Sequence, residues 1–324
     1  MTNRREFLRN ASLMTATGVM AANSASAATV SELSKINASK NFGLQIYSLT
    51  VAERRGDREF SSDVPAGLKK IAQLGYSSIE LAGYNTEGRV GAVPIADFKK
   101  HADAAGLKIL SSHVGLPVRG AWNRTSFEQV SDTWKRTCDH HASMGCKYIF
   151  QPGEPPMNSV EDVNFVGEVL NEAGKIAKAA GISFGFHNHS GEFQRVAPRG
   201  RSKVPNPWLW GSMPEGTKVI FDGMVESTDP EFVIFELDVY WAVMGVNDPV
   251  ALMKKYPKRI RVLHIKDVGV LGESGMLNFQ KIFETAYANG LQDFFVELEG
   301  NIEGTQFEGV KGCADYLLNA SFVK

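Results

Sequence analysis

Ala177-Lys178-Ala179-Ala180-Gly181-Ile182-Ser183-Phe184-Gly185-Phe186-His187-Asn188-His189 decides the fold. The stretch starts in helix formers, breaks at a glycine, and continues as a short apolar run that ends on polar side chains. Glycine just past a helix takes the left-handed conformation that stops the helix and turns the chain into a strand. The phrase returns at Ile71 to Tyr76, Ala102 to Leu107, His141 to Cys146 and Ala286 to Leu291. Strands alternating with helices imply parallel pairing through right-handed crossovers.

Working outward, candidate strands fall at 43–48, 77–82, 109–114, 147–151, 183–189, 234–240, 261–267 and 293–298. Helical patterns fall near 65–75, 95–105, 126–144, 159–180, 215–227, 248–256, 278–289 and 307–320. Eight repeats predict an α/β fold over 42–324, a single (β/α)8 TIM barrel. A doubly wound open sheet has no glycine-rich phosphate loop after the first strand to support it. One stretch breaks the rhythm: 196–214 carries four prolines, three basic residues, Trp208 and Trp210. It reads as a long loop, either over the catalytic face with a tryptophan for a sugar ring or on an outer contact surface.

Residues 1–27 do not belong to the fold. Asn3-Arg4-Arg5-Glu6-Phe7-Leu8-Arg9 is a twin-arginine export pattern, followed by a weakly apolar run and by Ala25-Ser26-Ala27, which fits a cleavage site. The expectation is periplasmic export, with 28–41 as a polar lead-in; the run is too short and polar to span a bilayer. The 35 basic and 36 acidic side chains give no electrostatic case for nucleic acid or an anionic membrane surface. Cys138, Cys146 and Cys313 are too few for a disulfide framework and read as small buried hydrophobes.

The chemistry concentrates in the last four strands. A carboxylate or imidazole in a buried strand costs several kcal/mol unless something pairs with it, and successive strands present such groups. Alternation places His187 with His189, Glu236 with Asp238 and Tyr240, His264 with Lys266, and Glu297 with Glu299. Each set lies late in its strand, where barrel enzymes carry their catalytic groups. Two imidazoles and two carboxylates suit Mn²⁺, Zn²⁺, Co²⁺ or Mg²⁺ and leave positions for substrate oxygens. Taken singly, His264 reads as a core histidine, Asp238 as a helix cap, and Glu297 or Glu299 as a partner of Lys266. Glu80, His113, Gln151 and Glu154 sit at or just after earlier strands and are expected to bond sugar hydroxyls. His101, His140 and His141 fall in helices and are expected to be solvated. The sequence has no serine-nucleophile elbow and no zinc-protease helix motif.

Ile79-Glu80-Leu81, Ser112-His113, His187-Asn188-His189, Glu236 to Trp241, His264 to Val268 and Val296-Glu297 together resemble the xylose isomerase-like TIM barrel family of sugar phosphate isomerases and epimerases. The resemblance covers about 42–320. It implies a divalent cation, most often Mn²⁺, held by His187, Asp238, His264 and Glu297. It also implies proton abstraction beside a carbonyl through a metal-stabilised enediolate, with Glu297, His189, Glu154 and Lys266 as proton carriers and Glu80, His113, Gln151, Tyr240 and Trp241 toward substrate. A homodimer or homotetramer is implied by the family alone. The well-understood epimerases carry glutamate at the position of His187, which makes a lyase or hydratase of keto-sugars or keto-glycosides a rival. A sugar-binding barrel without catalysis is the non-enzyme alternative. The chain has seven histidines and near-zero net charge, which speaks against a multi-metal phosphodiesterase. Export points to an unphosphorylated sugar as substrate.

Overall fold

Eight parallel strands form the wall of a barrel: β1 (Gly43–Gln45), β2 (Ser78–Leu81), β3 (Lys108–Ser112), β4 (Tyr148–Gln151), β5 (Ser183–His187), β6 (Val233–Asp238), β7 (Ile260–Ile265) and β8 (Asp293–Val296). They lie in the order β3-β2-β1-β8-β7-β6-β5-β4. A parallel bridge between His113 and Phe150 and a bond from Val114 N to Phe150 O (2.9 Å) join β3 to β4 and close the circuit. The structure is a computed structural model. It describes residues 40–324 apart from 52, 54, 55, 119–121, 123, 154, 200–214 and 301. The export motif, Glu154, Trp208 and Trp210 lie outside the described residues. The barrel lies wholly within Asn41–Lys324.

Helices follow the strands: α1 (Val64–Gln73), α2 (Ile95–Ala105), α3 (Arg124–Met144), α4 (Val160–Ala179), α5 (Ile220–Ser227), α6 (Pro249–Lys255), α7 (Phe279–Ala288) and α8 (Gln306–Asn319). Their starts are chemically marked. Asp63 accepts from Ala66 N ahead of α1, Ser159 from Asp162 N ahead of α4, and Thr305 with Glu308 forms a capping box on α8. The five glycines that punctuate the repeated phrase all have positive φ, from Gly106 at 78° to Gly75 at 100°, as the phrase requires. Among the described residues no helix is long and apolar enough to cross a membrane.

Several strands end sooner than their apolar runs suggest. The run 234–240 stops at Asp238, whose side chain accepts from Trp241 N (2.8 Å) and starts the helix Val239–Met244. Tyr240, expected on the strand face of Asp238, is therefore on a helix. Gln45 ends β1 similarly, its Oε1 accepting from Tyr47 N (3.0 Å) before the helix Tyr47–Thr50. A polar side chain bonding the backbone ahead of it ends the ladder where periodicity alone would extend it. His189, Lys266, Glu297 and Glu299 likewise follow their strands rather than sit in them. The helical run expected from 215 begins at Ile220 because Lys218–Val219 pairs back on Arg195–Val196.

The core has two parts. Outward-facing strand residues such as Leu44, Ile79, Ile149, Phe184, Leu237 and Leu263 pack beneath the helices, and all three cysteines are buried and free. Inside, Tyr148, Phe150, Val262 and Phe295 plug the N-terminal half of the barrel. The Tyr148 hydroxyl donates to Asp293 Oδ2 across that end (2.6 Å). His141 corrects the expectation of a solvated helical histidine. It is fully buried between α3 and β3, its Nδ1–H donating to Thr137 O (2.7 Å) and its Nε2 facing Ser112 Oγ (3.0 Å). Burial holds its pKa down to about 4.

Candidate metal centre

Strand register builds the site. His187 pairs with Glu236 across β5 and β6, and Asp238 pairs with His264 across β6 and β7. Glu297 follows β8, its N–H bonded to Ile265 O (3.2 Å). His187, Asp238, His264 and Glu297 are all buried, and one ligand atom from each lies within 4.8 Å of the others. The backbone of Asp238 is gripped from β5 by Asn188. Asn188 Oδ1 accepts from Asp238 N (3.1 Å), and Nδ2 donates to Asp238 O (3.4 Å) and His189 O (3.2 Å).

Two polar atoms of this set are unsatisfied. Asp238 Oδ1 serves as the helix cap, but Oδ2 is buried without a hydrogen-bond partner among the described residues, and so is His264 Nδ1. His264 Nδ1 lies 3.4 Å from Glu297 Oε2 and 3.9 Å from Asp238 Oδ2. Buried polar atoms without a hydrogen-bond partner are rare. Two imidazole and two carboxylate donors are the set a borderline-hard divalent cation takes, so the residues fit such an ion.

Protonation in the metal-free protein follows from packing. Burial, reinforced by His264 and His113, holds the His187 imidazole well below its ordinary pKa, so it is neutral. Burial lifts the Asp238 carboxyl to about 6 against the pull of Lys266 and His264. Burial opposes charge on His264, yet Glu236 and Glu80 overcome it and hold His264 well above 6.5. Burial would raise Glu297, but Lys266 and then His264 hold it below the usual carboxylate range. Burial puts Glu236 at about 7, with the charge of Glu80 adding to the effect.

Lys266 Nζ bridges Glu297 (2.9 Å) and Glu299 and stands 5.0 Å over the Trp241 ring. Burial opposes its charge, and Glu297, Asp238 and Glu299 outweigh it, so the ammonium is a fixed cation. His189 is held to a pKa of about 4 by burial. Its ring lies 5.1 Å from His187 and 5.7 Å from Trp241, and its backbone N–H donates to the buried Glu192 (2.9 Å).

The chain matches the model of the xylose isomerase-like TIM barrel over residues 68–316. It belongs to that family. A crystallised sugar phosphate isomerase/epimerase from Parabacteroides distasonis is 45% identical, with a TM-score of 0.78 covering 88% of this chain and 100% of that one. An inosose dehydratase of Geobacillus kaustophilus is 24% identical over 217 residues, and the match spans 62% of this chain and 61% of the dehydratase. An L-ribulose 3-epimerase structure shares the fold alone, at 16% identity and TM-score 0.62.

For a xylose isomerase-like barrel, the placement of the remaining site residues differs from the sequence expectation in an instructive way. Glu80, expected toward a sugar hydroxyl, is fully buried beneath His264, and both its oxygens are engaged inward. Gln151 is committed to backbone at both ends, accepting from Leu116 N (2.6 Å) and donating to Gly153 O (3.0 Å). His113 joins Glu236 (2.8 Å) and stacks on His264 at 5.0 Å. Trp241 is at the site, its Nε1–H buried without a partner among the described residues; Tyr240 reaches it only through a ring contact with Trp241. Glu236, Ser111, Gln45 and Asn188 are part of the arrangement without having been singled out as site residues. The usable signal was Glu236, an acid mid-strand on the face of Asp238.

Proposed function

We propose that this protein is a divalent-metal-dependent enzyme, Mn²⁺ being the leading ion, that removes a proton beside the carbonyl of an unphosphorylated sugar or keto-sugar to isomerise or epimerise it. The observation that carries this reading is the pair of buried orphan atoms, Asp238 Oδ2 and His264 Nδ1, facing Glu297 within one four-residue donor set. His187, Asp238, His264 and Glu297 would hold the cation, which supplies Lewis-acid polarisation of a substrate carbonyl and its neighbouring hydroxyl.

The chain's own groups divide the remaining work. His189 is neutral because it is buried, so a ring nitrogen is free to take the proton from carbon and return it. Lys266, locked between Glu297 and Glu299, is too firmly protonated to be the base and instead supplies fixed positive charge next to developing oxyanion charge. Trp241 offers an apolar face and an unpartnered N–H to a sugar ring. The twin-arginine pattern, read as an export signal, supports an unphosphorylated substrate, because a periplasmic enzyme would rarely meet phosphorylated sugars.

A second reading, elimination of water from a keto-sugar, is favoured by the inosose dehydratase relatives and by histidine rather than glutamate at position 187. Incubating Mn²⁺-loaded protein with keto-sugars in D2O separates the two. Deuterium incorporation at constant mass otherwise supports isomerisation, and loss of water supports elimination. Absence of both exchange and water loss with any sugar offered refutes both.

A further inference from the structure

Barrels of this kind are usually filled by branched apolar layers, yet the layer directly beneath the ligand set is polar. Gln45, Glu80, Ser111 and Glu236 occupy it, all fully buried. Two register shifts assemble it: one sets Ser111 opposite Glu80, the other sets Glu236 opposite Val262. Glu80 Oε1 accepts from Ser111 Oγ (2.6 Å), and Oε2 accepts from Gln45 Nε2 (2.8 Å) and lies 2.6 Å from His264 Nε2. Glu236 Oε2 gathers three imidazole nitrogens: His113 Nε2 at 2.8 Å, His187 Nδ1 at 3.0 Å and His264 Nε2 at 3.3 Å. The ion-pair contacts these two acids make among the described residues are all with imidazoles. Side-by-side buried acids burden the empty fold, and apolar side chains would serve it at least as well. Their retention needs another reason.

We propose that Glu80 and Glu236 are positioning residues of the metal centre, accepting His264 Nε2–H and His187 Nδ1–H from below. A ligating histidine's second nitrogen normally needs such a partner to fix the tautomer and ring angle. Ser111 and Gln45 already donate to Glu80, so it meets His264 as an acceptor, and His264 Nδ1, the orphan atom, is turned to Asp238 and Glu297. Glu236 does the same for His187, leaving Nε2 as that ring's remaining nitrogen. His113 ties the two acids together from β3, at 2.8 Å to Glu236 and 3.2 Å to Glu80. The proposal rests on the cation reading of the site above.

The test compares wild type, Glu236→Leu and Glu236→Gln as full chains stripped with EDTA. Mn²⁺ affinity is measured by competition with a chelating dye, melting of each stripped form by circular dichroism, and ion content by elemental analysis. Glu236→Leu should melt at or above wild type when stripped but bind Mn²⁺ 10–100-fold more weakly, the range typical of losing an outer partner. Glu236→Gln, which keeps an acceptor oxygen for His187, should restore most of the affinity. Unchanged Mn²⁺ affinity in Glu236→Leu, with or without a lower melting point, makes the layer merely structural and overturns the proposal, as does failure of that variant to fold. Two ions per wild-type chain, one of them lost in Glu236→Leu, would instead make His113, His187, Glu236 and His264 a cation site of their own. A wild type that binds none of Mn²⁺, Zn²⁺ and Co²⁺ removes the cation reading itself and the positioning role with it.

Discussion

Replacing Lys266 by methionine should push fold stability and metal affinity in opposite directions. Lys266 Nζ is 2.9 Å from Glu297 Oε2, with side chains 2% and 5% exposed, so water screens the pair poorly. At an effective dielectric of about 20 the gross attraction is on the order of 6 kcal/mol, and removing one partner of such a buried pair costs about 3–5 kcal/mol. For a domain of this size about 2–4 °C of melting temperature accompanies each kcal/mol, so the metal-free Lys266→Met protein should melt about 6–20 °C lower. The same change leaves Glu297, Glu299 and Asp238 facing one another without their ammonium. A divalent cation entering there relieves that repulsion, so Mn²⁺ affinity should rise by at least about tenfold, the equivalent of 1.4 kcal/mol. The Mn²⁺-induced rise in melting temperature should then exceed that of wild type. Scanning calorimetry with and without saturating Mn²⁺, beside a chelator-competition titration, reads both quantities. An unshifted metal-free melting point, or weaker Mn²⁺ binding in the variant, refutes the account of Lys266 as the counter-charge of the acidic set.

Asp238→Asn keeps a competent cap for the helix Val239–Met244 but loses the ligand oxygen, so Mn²⁺ affinity should fall by more than about 100-fold while the metal-free melting point stays near wild type in the same titration. Asn188→Ala removes both side-chain bonds to the Asp238 backbone and should cost about 1–3 kcal/mol by chemical denaturation, together with weaker Mn²⁺ binding. His141 predicts a pH dependence away from the site. Its folded pKa of about 4 lies below the ordinary histidine value of about 6.5, so the unfolded chain takes up the proton first and stability falls as pH drops from 6.5 toward 4. Between pH 7 and 5 this amounts to about 2 kcal/mol, and in His141→Leu denaturation profiles that component of the acid slope should be missing.

The repeated helix-glycine-strand phrase made the barrel legible because the signals behind it are local. A glycine in the left-handed region and a short apolar run do not depend on what the rest of the chain does, and the eight strands stand where those runs predicted. Strand ends were less legible. Whether Asp238 continues a strand or caps a helix depends on its side chain bonding Trp241 N, and alternation in the sequence does not register that competition. His141 was misread for a related reason: helical position says nothing about burial until α3 packs on β3 and Ser112 meets its ring.

The sequence by itself determined the architecture and the inventory of polar groups in the last four strands, because periodicity, helix stops and residue chemistry are local properties. Only the tertiary structure decided which atoms of those groups face one another. Glu80 changed from a presumed sugar contact to a buried partner of His264, and Glu236 became the meeting point of three imidazoles, through register shifts between neighbouring strands. Register joins residues far apart in the chain. A shift of one residue there exchanges which side chain meets which without altering the pattern along any single strand.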